Sequence, residues 1–385
     1  MKFDQVINRY GTYSTQWDYA IDRFGTSDVL PFSISDTDFP VPLAVQEALF
    51  ERLKHPIFGY TRWNHSEFKQ SIIQWYEWKN CSVKQEYISY SPSVMFSVAV
   101  FIRAKSQIND GVVVFTPLYD AFINIVESNH RKLVKVPLGD AYNDYSINWN
   151  ILEQSLAKKE NKILLLTNPH NPTGKVFTKH EIKKIVELCQ KYQIFLISDD
   201  IHMDIVYPNN KYYPILNELN ASNRKNMVIC TSASKTFNTP GLIGSYVLIP
   251  DGANYDLFQY SLKQQNGLSS ASIMGITSQI AAYQSLDYVE DLSKYLWNNM
   301  QLLVDFFQKN NHLGLEFIPP QGTYLAWIKI KSLNEQEVMR KLIKKGHVGL
   351  MPGSTYDGLG YLRMNIACPE SKLIDGLRRI ELALR

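Results

Sequence analysis

Four short apolar segments in the middle of the sequence are each followed by side chains that could take part in chemistry. One segment precedes an aromatic ring, one a carboxamide, one a pair of carboxylates and one a lysine among hydroxyl groups. Ligands of open α/β sheets bind beyond the carboxyl ends of the parallel strands. If the segments are neighbouring strands, these groups meet at one edge and outline a cofactor site. In chain order the residues are Tyr119, Asn171, Asp199, Asp200, His202, Ser232, Ser234 and Lys235.

Each of these groups also has an ordinary structural interpretation. The Asn-Pro-rich run 168–174 could be only a turn, and Asp199-Asp200 could cap the helix that follows. A lysine flanked by serines is usually a surface residue, and a single tyrosine such as Tyr119 is most often part of the core. It is their combination at successive strand ends that favours a site.

The combination fits the chemistry of pyridoxal phosphate. That cofactor needs a lysine to bond its aldehyde and a carboxylate to keep its pyridine nitrogen protonated. It gains from a donor to the ring hydroxyl, an aromatic ring over the pyridine, and a hydroxyl or helix N-terminus at the phosphate. The chain offers an aromatic ring, an amide, a carboxylate and a lysine in that order, and then an arginine. We therefore predict pyridoxal 5'-phosphate as the cofactor and no metal site.

The elements that must position these groups alternate between strand-like and helix-like patterns. The apolar segments are short and apolar on both faces, which is typical of strands in a sheet covered on both sides. The clearest helix begins at Thr178, where Glu181 completes a capping box, and a long helix is predicted over 287–310. The predicted strands are Val112–Phe115, Ile163–Thr167, Ile194–Ser198, Met227–Thr231 and Ser245–Ile249.

After Leu313 the pattern changes to that of a smaller α+β unit. We predict an α/β fold with a large domain over 45–285 and a small domain built from 1–44 and 286–385. The segment before Pro40 lacks a core of its own, so it should pack on the small domain or across a partner. The predicted elements of the small unit are strands at Leu325–Ile330 and Tyr361–Ile366 and helices at 335–345 and 370–384.

Composition and charge exclude several classes of protein. The chain is 45% hydrophobic and 20% charged, and no apolar run approaches the roughly 18 residues of a membrane span. Forty basic and 37 acidic residues leave a net charge of +3, too small to indicate a nucleic-acid partner. The start lacks the apolar region of a signal peptide. Four dispersed cysteines without a C-x-x-C pair then predict reduced thiols in the cytoplasm.

Specific motifs are spread over nearly the whole chain. They are Arg9 to Thr12, Asp36 to Pro40, Gly59 to Trp63, Asn168 to Gly174, Ser198 to His202, Ser232 to Asn238 and Arg363 to Pro369. With these motifs the sequence resembles the fold-type I pyridoxal-phosphate enzymes, the aminotransferase class I/II superfamily. Within it, the chain is similar to the MalY/PatB-type cystathionine β-lyases, also called C–S lyases. The resemblance implies an aspartate-aminotransferase-like fold whose large domain has a mainly parallel seven-stranded sheet.

The resemblance also implies a role for each candidate residue. Lys235 matches the catalytic lysine that bonds the cofactor, Asp199 the acid at the pyridine nitrogen, and Asn171 the amide at the ring hydroxyl. Arg363 matches the arginine that binds the substrate α-carboxylate, for which a planar guanidinium is well suited. The other implied cofactor contacts are Tyr119, His202, Ser232, Ser234, the backbone of Val94 and Met95, and Tyr60 of the neighbouring subunit.

Three positions depart from the family pattern. Asp200 stands where glutamate is usual, and we expect a small effect because it follows the pairing acid. Ser93 stands where glycine is frequent, which bears on the turn at the phosphate. Ile243 stands where many aminotransferases have a phosphate-binding arginine, which favours a protein other than an ordinary aspartate transaminase.

The function implied by the resemblance is β-elimination of a sulfur leaving group from an L-amino acid, with cystathionine as the favoured substrate. The products would be a thiol, pyruvate and ammonia. An aminotransferase is the alternative, because both reactions use the same groups around the cofactor. A regulatory protein-binding role beside the enzyme activity is another. We expect a homodimer with shared sites, and neither a nucleic-acid nor a membrane partner.

Overall fold

The computed structural model of the chain describes residues 3–331 and 334–385. Their strands form a seven-stranded, a four-stranded and a two-stranded sheet. The strands, numbered in chain order, are β1 Leu30–Pro31, β2 Ile88–Ser91, β3 Gly111–Thr116, β4 Lys132–Pro137, β5 Asn161–Thr167, β6 Phe195–Asp199, β7 Met227–Thr231, β8 Ser245–Leu248, β9 Leu315–Glu316, β10 Leu325–Ile330, β11 Val348–Gly349, β12 Met351–Pro352 and β13 Tyr361–Asn365.

The seven-stranded sheet has the order β2-β8-β7-β6-β5-β3-β4. Strand β8 is antiparallel to both of its neighbours, and the remaining pairs are parallel. The prediction of a mainly parallel seven-stranded sheet is therefore confirmed. The carboxyl ends of β2, β3, β5, β6 and β7 lie at one edge, and the chain enters β8 at that same edge. Register brings the strand ends level, since Thr167 pairs with Asp199 and Asp199 with Cys230.

Helices cover both faces of this sheet, which explains why its strands are apolar throughout. Along β5, Ile163 and Leu165 belong to one hydrophobic cluster, whereas Leu164 and Leu166 belong to the other. Successive side chains of a strand point to opposite faces, so both faces are buried. The helices are α1 Ala20–Phe24, α2 Leu43–Lys54, α3 Ser66–Trp78, α4 Val94–Lys105, α5 Asp120–Ser128, α6 Trp149–Leu156, α7 Lys179–Tyr192, α8 Ser234–Phe237, α9 Gly252–Tyr260, α10 Ile273–Ala282, α11 Leu286–Lys309, α12 Glu335–Lys344 and α13 Glu370–Leu384.

The N-terminal segment joins the smaller sheets near the C-terminus, one of the two placements predicted for it. Strand β1 pairs in parallel with β11. Beyond β1, the Phe32 N–H donates to the Gly349 carbonyl at 2.8 Å, and the Asn365 N–H donates to the Phe32 carbonyl at 2.9 Å. These bonds position the loop 33–38 at the edge of the large sheet where its parallel strands end. In the described part of the chain, no helix combines the length and apolarity needed to cross a bilayer.

Candidate active site

A cavity of about 460 Å³ opens at the carboxyl edge of the seven-stranded sheet. The strand ends deliver most of the predicted site residues to its wall, as expected for an open α/β sheet. Two predicted residues do not line it: Arg363 lies behind one wall, and Tyr60 lies elsewhere on the surface. The predicted residues that do line it are Val94, Met95, Tyr119, Asn171, Asp199, His202, Ser232, Ser234 and Lys235.

Lys235 lies on the short helix α8, directly after β7, and its ammonium group is held by the N-terminal segment. Its Nζ donates to the Ser35 carbonyl at 2.6 Å, and the Tyr324 hydroxyl donates to the same carbonyl at 3.0 Å. Burial lowers the pKa of Lys235 to about 8, although the negative charges of Asp36 and Asp199 oppose this. A larger fraction of this amine is therefore neutral at physiological pH than for an ordinary lysine, and the neutral form is the one that acts as nucleophile or base.

The carboxylate pair at the end of β6 divides between two surroundings. Asp199 lines the cavity and accepts one hydrogen bond, from the Ile201 N–H at 3.1 Å. Burial raises its pKa to about 7. Asp200 does not line the cavity and instead accepts the hydroxyls of Ser198 and Tyr212, both at 2.5 Å. Burial also raises the pKa of Asp200, to about 6, although these two bonds oppose the rise.

Arg363, on β13, reaches the cavity wall through Asn171. Its Nη1 donates to the Asn171 Oδ1 at 3.1 Å and its Nη2 to the Ser33 carbonyl at 2.9 Å. The guanidinium carbon lies 4.2 Å from the centre of the Tyr356 ring, a distance typical of a cation–π contact. Nε is buried and has no partner among the described residues. Within the described part of the chain, Arg363 is therefore a buried cation without a carboxylate partner, a fitting receptor for an anionic substrate group.

His202 follows Asp199 by three residues and also faces the cavity. Burial lowers its pKa to about 3, and the charges of Lys235 and Arg363 add to this effect, so the ring is neutral. Its Nδ1 is buried and has no partner within the described residues. Because a buried polar atom without a hydrogen bond is costly, this nitrogen indicates a ligand contact.

One end of the cavity is built to hold an anion. Helix α4 begins there, and the Ser93 hydroxyl caps it by accepting the Phe96 N–H at 3.0 Å. The N–H groups of Val94 and Met95, in the first turn, lie at the positive end of the helix dipole. Ser93 has an extended backbone with φ −157°, so this turn does not require glycine. The departure at Ser93 is compatible with the anion site.

Ser232 and Ile243 also line the cavity. The Ser232 hydroxyl donates to the Gly244 carbonyl at 2.6 Å and accepts the Ser234 N–H at 3.1 Å. It would have to leave the Gly244 carbonyl to donate to a phosphate. Ile243 lines the cavity with φ +53°, a conformation that a β-branched residue rarely adopts. This backbone strain lies at a position where the family often has an arginine.

Tyr60 lies outside the cavity of its own chain. Its side chain is 99% exposed, and it lines a separate depression with Thr61, Trp63 and Lys263. A large aromatic side chain left entirely in water gains nothing from the fold of one subunit. The sequence prediction that it serves a neighbouring subunit is compatible with this position.

Besides Ser33, which accepts a hydrogen bond from Arg363, three further residues around the predicted groups escaped the sequence analysis. They are Ser35, which accepts the Lys235 ammonium, Tyr324, which donates to the same carbonyl, and Tyr356, which packs on Arg363. Each contact depends on chain segments that are far apart in sequence. The nearest sequence signal was the D-x-D-F-P motif at Asp36, directly after Ser35. Its carboxylates bind Arg9, with Arg9 Nη2 2.7 Å from an Asp36 oxygen.

A mixed sheet with a lysine, a carboxylate and an anion-binding helix end at its edge defines the class of aminotransferase-fold proteins. The chain belongs to the aminotransferase class I and II family, whose model matches residues 27–380. Protein MalY of Escherichia coli K12 is 40% identical, and the match covers 100% of this chain and 98% of MalY. Cystathionine beta-lyase PatB of Bacillus subtilis 168 is 35% identical, with both chains fully covered.

A solved structure with the same fold is cystalysin from Treponema denticola, which contains a pyridoxal 5'-phosphate cofactor. Its TM-score is 0.92 and its identity 26%, and the match covers 99% of this chain and 98% of cystalysin. The cavity described above fits that cofactor by its donor set. Its lining includes the amine of Lys235, the carboxylate of Asp199, the ring of His202, whose buried Nδ1 has no partner among the described residues, and the first turn of α4.

Proposed function

We propose that this protein is a pyridoxal-phosphate-dependent C–S β-lyase that cleaves L-cystathionine or related S-substituted L-cysteines to a thiol, pyruvate and ammonia. The observation that carries the proposal is the cavity itself, where Lys235, Asp199 and Asn171 meet and Arg363 lies bonded to Asn171. The family membership supports the cofactor. The similarity to PatB along both whole chains supports the reaction class.

In this proposal, the cofactor supplies an electron sink that stabilises negative charge at the substrate Cα. Lys235 would hold the cofactor through its aldehyde, and its Nζ would take the substrate Cα proton as general base. Its lowered pKa, about 8, suits that transfer near neutral pH. Arg363 binds the α-carboxylate and orients the substrate so that the proton faces Lys235. Loss of the Cα proton then allows the thiolate to leave from Cβ.

Asp199 acts on the pyridine nitrogen, and Asn171 and His202 act near the ring hydroxyl. Burial in the cavity raises the pKa of the Asp199 carboxyl to about 7, because it disfavours the charged form. A protonated ring nitrogen beside it favours the carboxylate by Coulomb attraction. The two charges thus stabilise one another. Tyr119 would pack against the ring, and the first turn of α4 would hold the phosphate.

Product analysis tests the reaction. Purified holoenzyme is incubated with L-cystathionine, and pyruvate and free thiol are measured; a second reaction contains alanine and a 2-oxo acid. Pyruvate and thiol in equal amounts are expected in the first. Amino-group transfer in the second without thiol release in the first would replace the lyase with an aminotransferase. Lys235→Ala is the matched control, and it should lose both turnover and the absorbance of the lysine-bound cofactor.

We also propose that the protein is a homodimer with shared active sites. Helix α2 and the segment after it expose a series of large apolar side chains, and contiguous patches of this kind mark interfaces. Tyr60 follows directly, so a subunit packed there could receive its hydroxyl at the phosphate. The exposed apolar residues are Leu43, Phe50, Leu53, Ile57 and Phe58.

Two further proposals concern the domain bounds and the cellular location of the protein. We propose domain bounds at 45–285 and at 1–44 with 286–385, supported by the position of the seven-stranded sheet, from Ile88 to Leu248. We propose a cytoplasmic location because all four cysteines are buried free thiols, which suits a reducing compartment.

A further inference from the structure

Two opposite charges lie close to Arg363, and neither belongs to an ion pair among the described residues. Arg23 lies on helix α1 and is exposed, and Asp120 is the first residue of helix α5 and is half-buried. The proposed function uses neither. Charged side chains at a surface are ordinary, so it is the closeness of these two to Arg363, and not their lack of an ion pair, that bears on substrate binding.

Arg23 lies one side chain away from Arg363. Its Nη1 is 3.9 Å from the sulfur of Met351. Met351 is paired with Arg363 across the antiparallel strands β12 and β13. Side chains directly opposite one another in such a pair lie on the same face, about 5 Å apart at Cβ. The guanidinium of Arg23 therefore lies just beyond the residue that neighbours the proposed α-carboxylate receptor.

Asp120 approaches the same place from the large sheet. It directly follows Tyr119, which lines the cavity. The Leu118 N–H donates to the Tyr356 carbonyl at 2.8 Å, so the start of α5 is fixed to the residue whose ring packs on Arg363. Tyr356 thus lies between Asp120 and Arg363. In the same way, Met351 lies between Arg23 and Arg363.

Electrostatics supports this proximity. Burial raises the pKa of Tyr356 to about 12; Asp120 adds to the rise, and Arg363 and Arg23 oppose it. The pKa of Tyr119 is raised mainly by burial, again with Asp120 adding to the effect and Arg23 opposing it. Both charges therefore lie within Coulomb range of Tyr119, which lines the cavity, and of Tyr356, which packs on Arg363.

We propose that Arg23 and Asp120 bind the far end of the substrate, where L-cystathionine carries its second amino acid. Arg23 would bind its carboxylate and Asp120 its ammonium, while Arg363 binds the carboxylate at the reacting end. The preferred substrate is then a thioether that joins two amino acids rather than an S-alkylcysteine. This inference rests on the proposed lyase function and specifies the substrate class of the same site.

Binding of unreactive carbon analogues tests the inference without turnover. 2,7-Diaminosuberate carries an amino acid at each end, 2-aminosuberate lacks the far ammonium, and 2-aminooctanoate lacks both far charges. Calorimetric titration of the holoenzyme should give the tightest binding for the first and the weakest for the last. Arg23→Gln should weaken the first two by about tenfold, the value of one lost hydrogen bond to a charged group. It should leave 2-aminooctanoate unchanged.

Asp120→Asn should weaken only 2,7-diaminosuberate. Arg224→Gln removes an exposed arginine far from the cavity, before β7, and is the matched control, expected to change none of the three. In turnover, Arg23→Gln should raise KM for L-cystathionine about tenfold with little change in kcat, and leave S-butyl-L-cysteine unaffected. Equal effects on all ligands, or none, would overturn the inference.

The outcome for the wild-type protein separates the two proposals. Release of thiol and pyruvate from S-butyl-L-cysteine supports the lyase function whatever the variants show. If that reaction proceeds and Arg23→Gln leaves L-cystathionine binding and turnover unchanged, the lyase proposal holds and the far-end site is rejected. If wild-type holoenzyme releases thiol from neither substrate, the lyase proposal itself fails.

Discussion

At the scale of single residues, Asp199 and Asp200 show how adjacent identical side chains acquire different surroundings. Neighbouring residues at a strand end point to opposite sides. Asp199 consequently faces the cavity, whereas Asp200 is enclosed by the hydroxyls of Ser198 and Tyr212. Only Asp199 can reach a ligand in the cavity. Asp200 instead stabilises the packing behind the cavity wall through its two hydrogen bonds.

Substitution of the two carboxylates should therefore have different consequences. Asp199→Asn should lower kcat by about 100-fold or more, because the ring nitrogen loses the charge that keeps it protonated. Asp200→Asn should change kcat by less than about tenfold but lower the free energy of unfolding by about 1–3 kcal/mol, because two buried hydroxyls lose a charged acceptor. Steady-state kinetics and urea unfolding measure the two effects. The reverse ranking would show that the wrong carboxylate was assigned.

The raised pKa of Asp199 also predicts how pH affects the protein once the cofactor is removed. Its folded pKa, about 7, lies above the unfolded value near 4, so the folded state retains a proton that the unfolded state loses. By linkage, this group makes stability fall as pH rises from about 4 to 7, by at most about 1.4 kcal/mol per pH unit. The apo Asp199→Asn variant has no carboxyl at this position, so it does not lose that stability as the pH rises.

The stability of the apo variant relative to the apo wild type should therefore increase between pH 5 and pH 8. Urea unfolding of both apo proteins at the two values measures this difference. Asp200, with a pKa of about 6, titrates in both proteins, and because its charge also raises the pKa of Asp199 its contribution cancels only in part. Parallel pH profiles would mean that Asp199 is ionised in the empty cavity.

Residues that directly follow a strand could be predicted as site residues, because strand order and direction alone place them at one edge. Asn171, Asp199 and Lys235 are of this kind. Ser35 and Tyr356 could not be predicted in this way, since their contacts depend on how the N-terminal segment and the small sheets pack against the large one. That packing has no local signal in the sequence.

At the scale of elements, helix α4 combines a structural and a binding task at its first turn. Ser93 caps the helix and so fixes the direction of the Val94 and Met95 N–H groups. Ser93→Ala should lower the free energy of unfolding of the apo protein by about 1 kcal/mol, the usual value of a helix cap. It should also weaken cofactor binding, because the first turn frays.

Equilibrium dialysis of the cofactor with wild type and Ser93→Ala measures the second effect. Thr178→Ala is a matched control, because it removes the cap of α7, which lies away from the cavity. It should lower stability by a similar amount and leave cofactor affinity unchanged. Equal losses of affinity in both variants would show that stability, and not the first turn of α4, decides binding.

Most central elements were predictable, whereas the strands at the two edges of the large sheet were not. The predicted strands correspond to β3, β5, β6, β7 and β8, and the predicted capping box at Thr178 is confirmed. Strand β4, at one edge, is largely exposed and has two lysines, so its apolar pattern is weak. Strand β2, at the other edge, has two serines in four residues. Their pairing partners, distant in sequence, stabilise them as strands.

At the scale of the whole molecule, a single chain supplies fewer hydrogen-bond donors to the proposed phosphate site than the family pattern would. Ile243 stands where an arginine is frequent in the family and offers no hydrogen bond. Tyr60 is fully exposed, next to the apolar side chains of Ile57 and Phe58. A two-fold dimer would bury these side chains and add a hydroxyl to each site from the opposite subunit, because a two-fold axis creates both sites at once.

Mixing of two defective variants tests this arrangement. Tyr60→Phe should weaken cofactor binding by removing the hydroxyl, and Lys235→Ala should abolish turnover by removing the amine. In a mixed dimer, one site has both defects, and the other has Lys235 from one subunit and Tyr60 from its partner. Activity should therefore partly return after subunit exchange. Tyr13→Phe, which removes another exposed hydroxyl, is the control and should be active without mixing. Absence of recovery in proven mixed dimers would show that Tyr60 serves its own subunit or none, and a monomer at assay concentration would reject shared sites.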